Sequence, residues 1–146
     1  MPDPLDLTGD IAAAIDGAAL RNATLALAYV RDDGSPSVSF RGSTQVRGPG
    51  ELAVWARKRD SGLAAAIADR PRVSLVYYGG PGGPGPLFLS IEGRARVAPE
   101  LDDQVWEAMI EGERNLDPER GGIAILIEVD TVAGAGADGF FQQARA

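Results

Sequence analysis

The sequence predicts a small, mainly β domain in which about six antiparallel strands form a barrel and short helices pack outside it. Three observations carry this prediction. Short apolar stretches, several rich in β-branched or aromatic residues, are separated by turn residues, with Gly 19 and Pro 10 supplying the breaks. Too few helical segments alternate with the strands for a doubly wound parallel sheet. The chain has 146 residues, 45% of them hydrophobic, without an internal repeat or a linker, which suits a single domain over 1–146.

The elements follow in order. "TGDIAAAIDGAAL" reads as a short helix capped by Thr8, with Ile11, Ala14, Ile15 and Ala18 on one face. Ala23–Val30 is an apolar strand. Asp33-Gly34 marks a hairpin turn into "SVSF", where Val38 and Phe40 share one face and Ser37 and Ser39 the other. "GSTQVRGPG" reads as a loop and "ELAVWAR" (Glu51–Arg57) as the next strand. Ser61 is placed to cap a two-turn helix, "GLAAAIAD", which Pro71 ends. "RVSLVYY" is a strand; one of Tyr77 and Tyr78 is expected to pack inward and the other to reach an interface or a pocket rim. Gly79–Pro86 reads as a mobile connector.

Leu87–Val97 is a long strand with Gly93 at a bulge or bend, and Arg94 and Arg96 are expected to pair with acids across the sheet. "PELDDQVWEAMIEGERNL" reads as one amphipathic helix that buries Leu101, Val105, Trp106, Met109 and Ile110. Asp117-Pro118 stops it. "GGIAILIEVDTVAGAG" is the last central strand, and "DGFFQQARA" is a candidate terminal strand.

Composition narrows the chemistry. The chain has neither cysteine nor histidine. Disulfides, thiolate or imidazole metal sites and a serine–histidine relay are therefore excluded. Reactions must rest on carboxylates, Arg, Lys, Tyr, hydroxyls, backbone N–H groups or a bound cofactor. Eight carboxylates from Glu100 to Glu119 surround Arg114 alone, but the spacing has no glycine-turned calcium loop and reads as a solvated helix face. The acidic N-terminus does not look like a secretory leader, no apolar run approaches a membrane span, and a cytoplasmic location is expected. A pI near 4.5 argues against nucleic acid as the partner.

The charge is unevenly spread. Arg41–Arg72 holds seven cations and three anions, a local +4 in a chain of −7, so the remainder carries −11. Such an island suits an anionic small ligand. Arg57, Lys58 and Arg59 stand directly before Ser61 and Gly62, where the short helix begins. A helix start exposes unpaired N–H groups, and cations beside them complete a phosphate cradle. The G-x-x-x-x-G-K-[ST] loop of nucleotide hydrolases is absent. A different small β-barrel holding an acidic peptide or metabolite on the island is a competing reading.

Four segments add a further argument through their order and spacing: "DDGSPSVS" (Asp32–Ser39), "LAVWAR" (Leu52–Arg57), "SGLAAAIADRPRVSLVYY" (Ser61–Tyr78) and "LSIEGRARV" (Leu89–Val97). Together, over roughly Ala23–Glu100, they resemble the flavin-binding split-barrel proteins related to pyridoxamine 5′-phosphate oxidase. The resemblance implies a split β-barrel homodimer that binds flavin mononucleotide (FMN), or in some branches a deazaflavin coenzyme, at its interface and acts as an oxidoreductase on a small molecule. It implies a flavin ring near Ser39, Phe40, Arg41 and Ser43. The ribityl chain and phosphate are expected near Trp55, Ala56, Arg57, Lys58 and Ser61, with Gly62 allowing close approach, and Phe88 is expected to reach in from the partner subunit. The apolar pattern around Trp55 independently places that ring in the core.

Where the family carries a basic pair after the serine, this chain has Gly62 and Leu63. Arg57, Lys58 or Arg59 would then reach the phosphate from the preceding turn. The alternative is the same fold without a working flavin site, serving as a structural dimer or a module for another planar ligand. No catalytic side chain is assigned.

Overall fold

Hydrophobic alternation builds the sheet from the centre outward. The computed structural model describes residues 1–79 and 87–146. In chain order these form β1 (Asp3–Pro4), α1 (Asp10–Asp16), β2 (Ala26–Val30), β3 (Pro36–Phe40), β4 (Gln45–Val46) and β5 (Glu51–Ala56). Then come α2 (Gly62–Asp69), β6 (Arg72–Gly79), β7 (Leu87–Val97), α3 (Asp102–Ala108), α4 (Glu111–Arg114), β8 (Ile123–Gly136) and β9 (Gly139–Ala144). Strands β9, β8, β7, β6, β2 and β3 lie side by side and antiparallel, and β1 joins β9 in parallel. The first half of β8 pairs with β5 instead of β9, Leu52 opposite Ile127 and Val54 opposite Ile125. The sheet therefore forks along β8 and does not close.

The period of two decides what is buried. Leu27, Val73, Leu75, Tyr77, Leu89, Ile91 and Val132 point to one side, where Leu52, Val54, Ile125 and Ile127 meet them from the other branch. Helices α1 and α2 plug this core with Ile11, Ala14, Ile15, Leu63 and Ile67. Ala53, Trp55 and Ala124 face the opposite way and form a smaller cluster with Val105 and Met109. The bulge falls where expected, between Glu92 and Gly93; a Cβ on Gly93 would stand 2.5 Å from the Glu128 carbonyl. Of the tyrosine pair, Tyr77 is buried and accepts a hydrogen bond from Arg21, while Tyr78 is 75% exposed.

Several local expectations are corrected. Thr8 donates its hydroxyl to Asp6, and Gly9 rather than Thr8 occupies the cap position of α1. The helix expected over 99–116 breaks into a 3-10 turn, α3 and α4, because Met109 and Ile110 are extended. Arg114 bonds the carbonyls of Trp106, Glu107 and Met109, so it satisfies the α3 terminus that a continuous helix would have covered. Arg94 pairs across the sheet with Glu128 and Asp130, but Arg96 pairs with Glu100 four residues on. The residues from "GSTQVRGPG" include β4, too short to show a period. The predicted connector begins with the last residue of β6, and 80–86 lie outside the described residues.

Candidate functional site

A cleft of about 490 Å3 opens between β3, the turn after β5 and the start of α2, within the range of about 300–1,000 Å3 usual for small-molecule sites. Ser37, Ser39 and Tyr29 come to it because they alternate with outward residues along the hairpin; Ser39 pairs with Leu27, and Ser37 with Tyr29. Phe40 and Arg41 reach it from the end of β3, Ala56, Arg57 and Lys58 from the end of β5, and Ser61, Gly62 and Leu63 from α2. Leu116 and Asp117 close the far side.

Three cations meet here with Asp117 as the one carboxylate among the described lining residues. Among the described residues, the side chains of Arg41, Arg57 and Lys58 make no hydrogen bond or ion pair. Arg41 is the most confined: its Nε is buried and has no hydrogen-bond partner among the described residues. Burial lowers its pKa from the ordinary arginine value, with the nearby Arg57 charge adding to the shift against an opposing contribution from Tyr29. An unpaired buried donor is costly, and a bound anion would relieve it.

The start of α2 presents its backbone to the same space. Gly62 has φ 58°, in the left-handed region that favours glycine, and a Cβ there would meet only the Tyr29 hydroxyl at 3.8 Å. Ser61 occupies the cap position without a side-chain capping bond. Among the described residues its hydroxyl has no partner, and the first N–H groups of a helix lie beyond its internal hydrogen bonds, so both can serve a ligand.

Asp117 provides the opposite charge and a structural tie. Its carboxylate accepts hydrogen bonds from Trp55 Nε1, Gly121 N and Gly122 N, each at 2.9 Å. Burial alone would raise its pKa, but these three donors and the Arg57 charge outweigh burial and hold the carboxyl below its ordinary 3.8. Gly122 sits so tightly that a Cβ would lie 2.2 Å from the Ala56 carbonyl. The clamp therefore fixes the loop before β8 against the end of β5.

No family model matches the sequence, and no curated protein does. Solved structures do match. General stress protein 26 from Bacillus anthracis is 20% identical with a TM-score of 0.62, over 86% of this chain and 94% of that one. A protein related to general stress protein 26, of the pyridoxinephosphate oxidase family, from Clostridium acetobutylicum is 8% identical with a TM-score of 0.61, over 88% of this chain and 90% of that one. The fold is that of the pyridoxamine 5′-phosphate oxidase-like split barrels. A heme binding protein from Mycobacterium smegmatis shares it at 15% identity and TM-score 0.66, with this chain covered to 91% and that one to 57%.

Within this split barrel, eight of the eleven sequence-selected residues converge on the cleft: Ser39, Phe40, Arg41, Ala56, Arg57, Lys58, Ser61 and Gly62. Three do not. Ser43 is buried and its hydroxyl accepts the Trp55 N–H at 2.8 Å, so it braces β5 from behind. Trp55 is 4% exposed and packs edge-on against Trp106, ring centroids 5.3 Å apart. Its apolar alternation placed it in the core, and there it stands. Phe88 lies on the outer face of β7, paired with Tyr78, away from its own chain's cleft. Arg59 also turns aside and donates to the Gly122 carbonyl at 2.8 Å, leaving two of the three consecutive cations at the cleft.

Sequence reasoning did not select Tyr29, Ser37, Leu116 or Asp117. The alternation of β2 and β3 carried a signal for the first two; Asp117 stood out as a helix stop, in a segment (Glu113–Gly122) that the family resemblance allows at a pocket border. The carboxylates from Glu100 to Glu119 are partly recruited as ties, Asp102 to the Ala124 N–H and Asp103 to Arg120. Among the described residues no group of three could hold a metal. A separate cavity of about 470 Å3 beside β9 brings Asp6, Asp10 and Asp138 together without a cation, which is the wrong charge for a phosphate.

Proposed function

We propose that this chain binds FMN in the cleft between β3, β5 and α2 and acts, as a homodimer, as a flavin-dependent oxidoreductase on a small molecule. The observation that carries this reading is the convergence of Arg41, Arg57 and Lys58, unpaired among the described residues, on one cleft of a chain with net charge −7. Arg57, Lys58, the Ser61 hydroxyl and the backbone at Gly62 would hold the phosphate, and Ser39, Phe40 and Arg41 would border the ring. A bound flavin would supply hydride or electron transfer, so the chain would need neither histidine nor cysteine for that chemistry. The protein's own part is to bind, orient and desolvate.

The homodimer rests on a different observation. Val38, Phe40, Val76, Tyr78, Phe88 and Phe140 are all exposed, and strand pairing puts them on one face of the sheet. An apolar face of this kind marks an interaction surface. Phe40 belongs to both that face and the cleft, so a second copy docked there would complete the site and bring its own Phe88 near it.

A second reading has one observation in its favour. Leu63, where the family resemblance implies a cation, is 3% exposed and belongs to the core. Under that reading the cleft serves a deazaflavin or another planar anion, or the dimer is structural. The fold shared with a heme binding protein adds haem to the candidates, but the chain offers no histidine or cysteine as an axial ligand.

Titration with FMN and with a deazaflavin, followed by fluorescence quenching, tests the proposal. Binding of FMN at micromolar or lower concentration is expected. The double variant Arg57→Ala/Lys58→Ala should lose about 10- to 100-fold, one charge-assisted contact being worth about 1.5–3 kcal/mol. Unchanged FMN affinity in that variant overturns the cradle; absence of binding by both cofactors overturns the flavin function. Light scattering should give a mass near twice 15.2 kDa, falling to the monomer in Tyr78→Asp.

A further inference from the structure

The phosphate cradle has a neighbour of opposite sign. A second cavity of about 560 Å3 adjoins the cleft and shares Tyr29, Ser61 and Gly62 with it. Its charged lining is Asp32, Asp33 and Asp60 against Arg31, whereas the cleft has Arg41, Arg57 and Lys58 against Asp117. Formal charge therefore reverses from +2 to −2 across the Ser61–Gly62 ridge.

The partners of these groups sharpen the contrast. Arg31 gives its guanidinium to the Pro36 carbonyl at 2.8 Å and sits at 3.4 Å from the Ser35 hydroxyl. Asp32 pairs with Arg70 at 3.2 Å but is 90% exposed. Asp33 accepts only from Ser35, through its N–H and hydroxyl, and keeps a depressed pKa through those bonds. Asp60 has no side-chain partner among the described residues. Asp33, with Arg31 as its nearby cation, and Asp60, without a side-chain partner among the described residues, thus face the second cavity, whose lining carries three acids against one cation.

We infer that the site selects a ligand that ends at its phosphate monoester and disfavours one continued past the phosphate by further negative charge. This rests on the flavin reading and deepens it. A phosphate at the Ser61–Gly62 ridge places whatever follows it in or beside the second cavity. A second phosphate, as in flavin adenine dinucleotide (FAD), or an oligoglutamyl tail, as on the deazaflavin coenzyme, would meet Asp33 and Asp60 there. Like charges in such a position lower affinity without any steric clash, and salt screens the effect.

The experiment compares FMN, FAD and the tailed deazaflavin coenzyme on wild type and on Asp33→Asn/Asp60→Asn, at low and high salt. Asparagine keeps an acceptor for the Ser35 turn, and both positions lie outside the phosphate cradle. Wild type should prefer FMN. The double variant should gain at least about fivefold for FAD and the deazaflavin at low salt. FMN should change by less than about twofold, because its charge ends on the cationic side of the ridge. Raising salt should narrow the wild-type preference. Equal gains for all three ligands, or wild type binding the tailed ligands as tightly as FMN, overturn this inference while leaving the flavin reading intact. Failure of FMN to bind either protein overturns both.

Discussion

The Asp117 clamp offers the sharpest test of how the cleft is held together. Asp117→Ala removes a carboxylate that three donors share. Gly121 is exposed, so water can replace its bond; Trp55 and Gly122 are buried and their donors would be orphaned. At about 1–3 kcal/mol for each buried donor left unpaired, the loss is about 2–6 kcal/mol. With a urea m-value of about 2 kcal/mol/M, the midpoint should fall by about 1–3 M. Trp55 and Trp106 report the transition through intrinsic fluorescence. Asp117→Asn keeps one acceptor oxygen and should lie between wild type and Asp117→Ala. The pH dependence has a defined sign. The folded pKa is depressed below 3.8, so the stabilisation is complete above that value and is lost as pH falls through the folded pKa. The Asn variant should show less of this acid loss. A midpoint within about 0.3 M of wild type for Asp117→Ala, or an Asn variant weaker than the Ala variant, would refute the reasoning.

Three further outcomes are expected. Arg41→Met removes an unpaired, half-buried charge, so it should stabilise the ligand-free protein by about 1 kcal/mol while weakening FMN, seen as a raised Tm without ligand and a smaller ligand-induced Tm shift. Gly62→Ala should cost about 1–2 kcal/mol in chemical denaturation, from left-handed backbone alone, since its Cβ would make only an ordinary contact with the Tyr29 hydroxyl at 3.8 Å; no loss would mean the turn relaxes. Gly93→Ala places a Cβ 2.5 Å from the Glu128 carbonyl, and should cost about 1–3 kcal/mol with faster amide exchange across the β7–β8 pairing.

The sequence made the sheet legible because alternation survives wherever one face is buried. The hairpin around Gly34, the Gly93 bulge and α2 with its Pro71 stop were all visible in local chemistry. The long acidic helix was not, because Leu101, Val105 and Met109 keep a helical spacing even though the backbone extends at Met109 and Ile110, and Arg114, five to eight residues on, takes the carbonyls that the break leaves free. In the site, cation clustering and the Ser61–Gly62 step located the cleft. Which cations face it depends on distant partners, as when the Gly122 carbonyl draws Arg59 away. Asp117 was opaque for the same reason: its role exists only once Trp55, sixty-two positions earlier, comes within 2.9 Å.

The fork along β8 also orders assembly in time. Strands β2, β3, β6 and β7 can pair among themselves as soon as residue 97 is available, but β5 has β4 alone until the segment Ile123–Glu128 arrives. During synthesis at about 5–20 residues per second, Leu52, Val54 and the adjoining core face of β5 wait for their partner. That wait makes the late C-terminal third a determinant of yield, and a truncation before β8 should leave an aggregating fragment instead of a smaller folded unit.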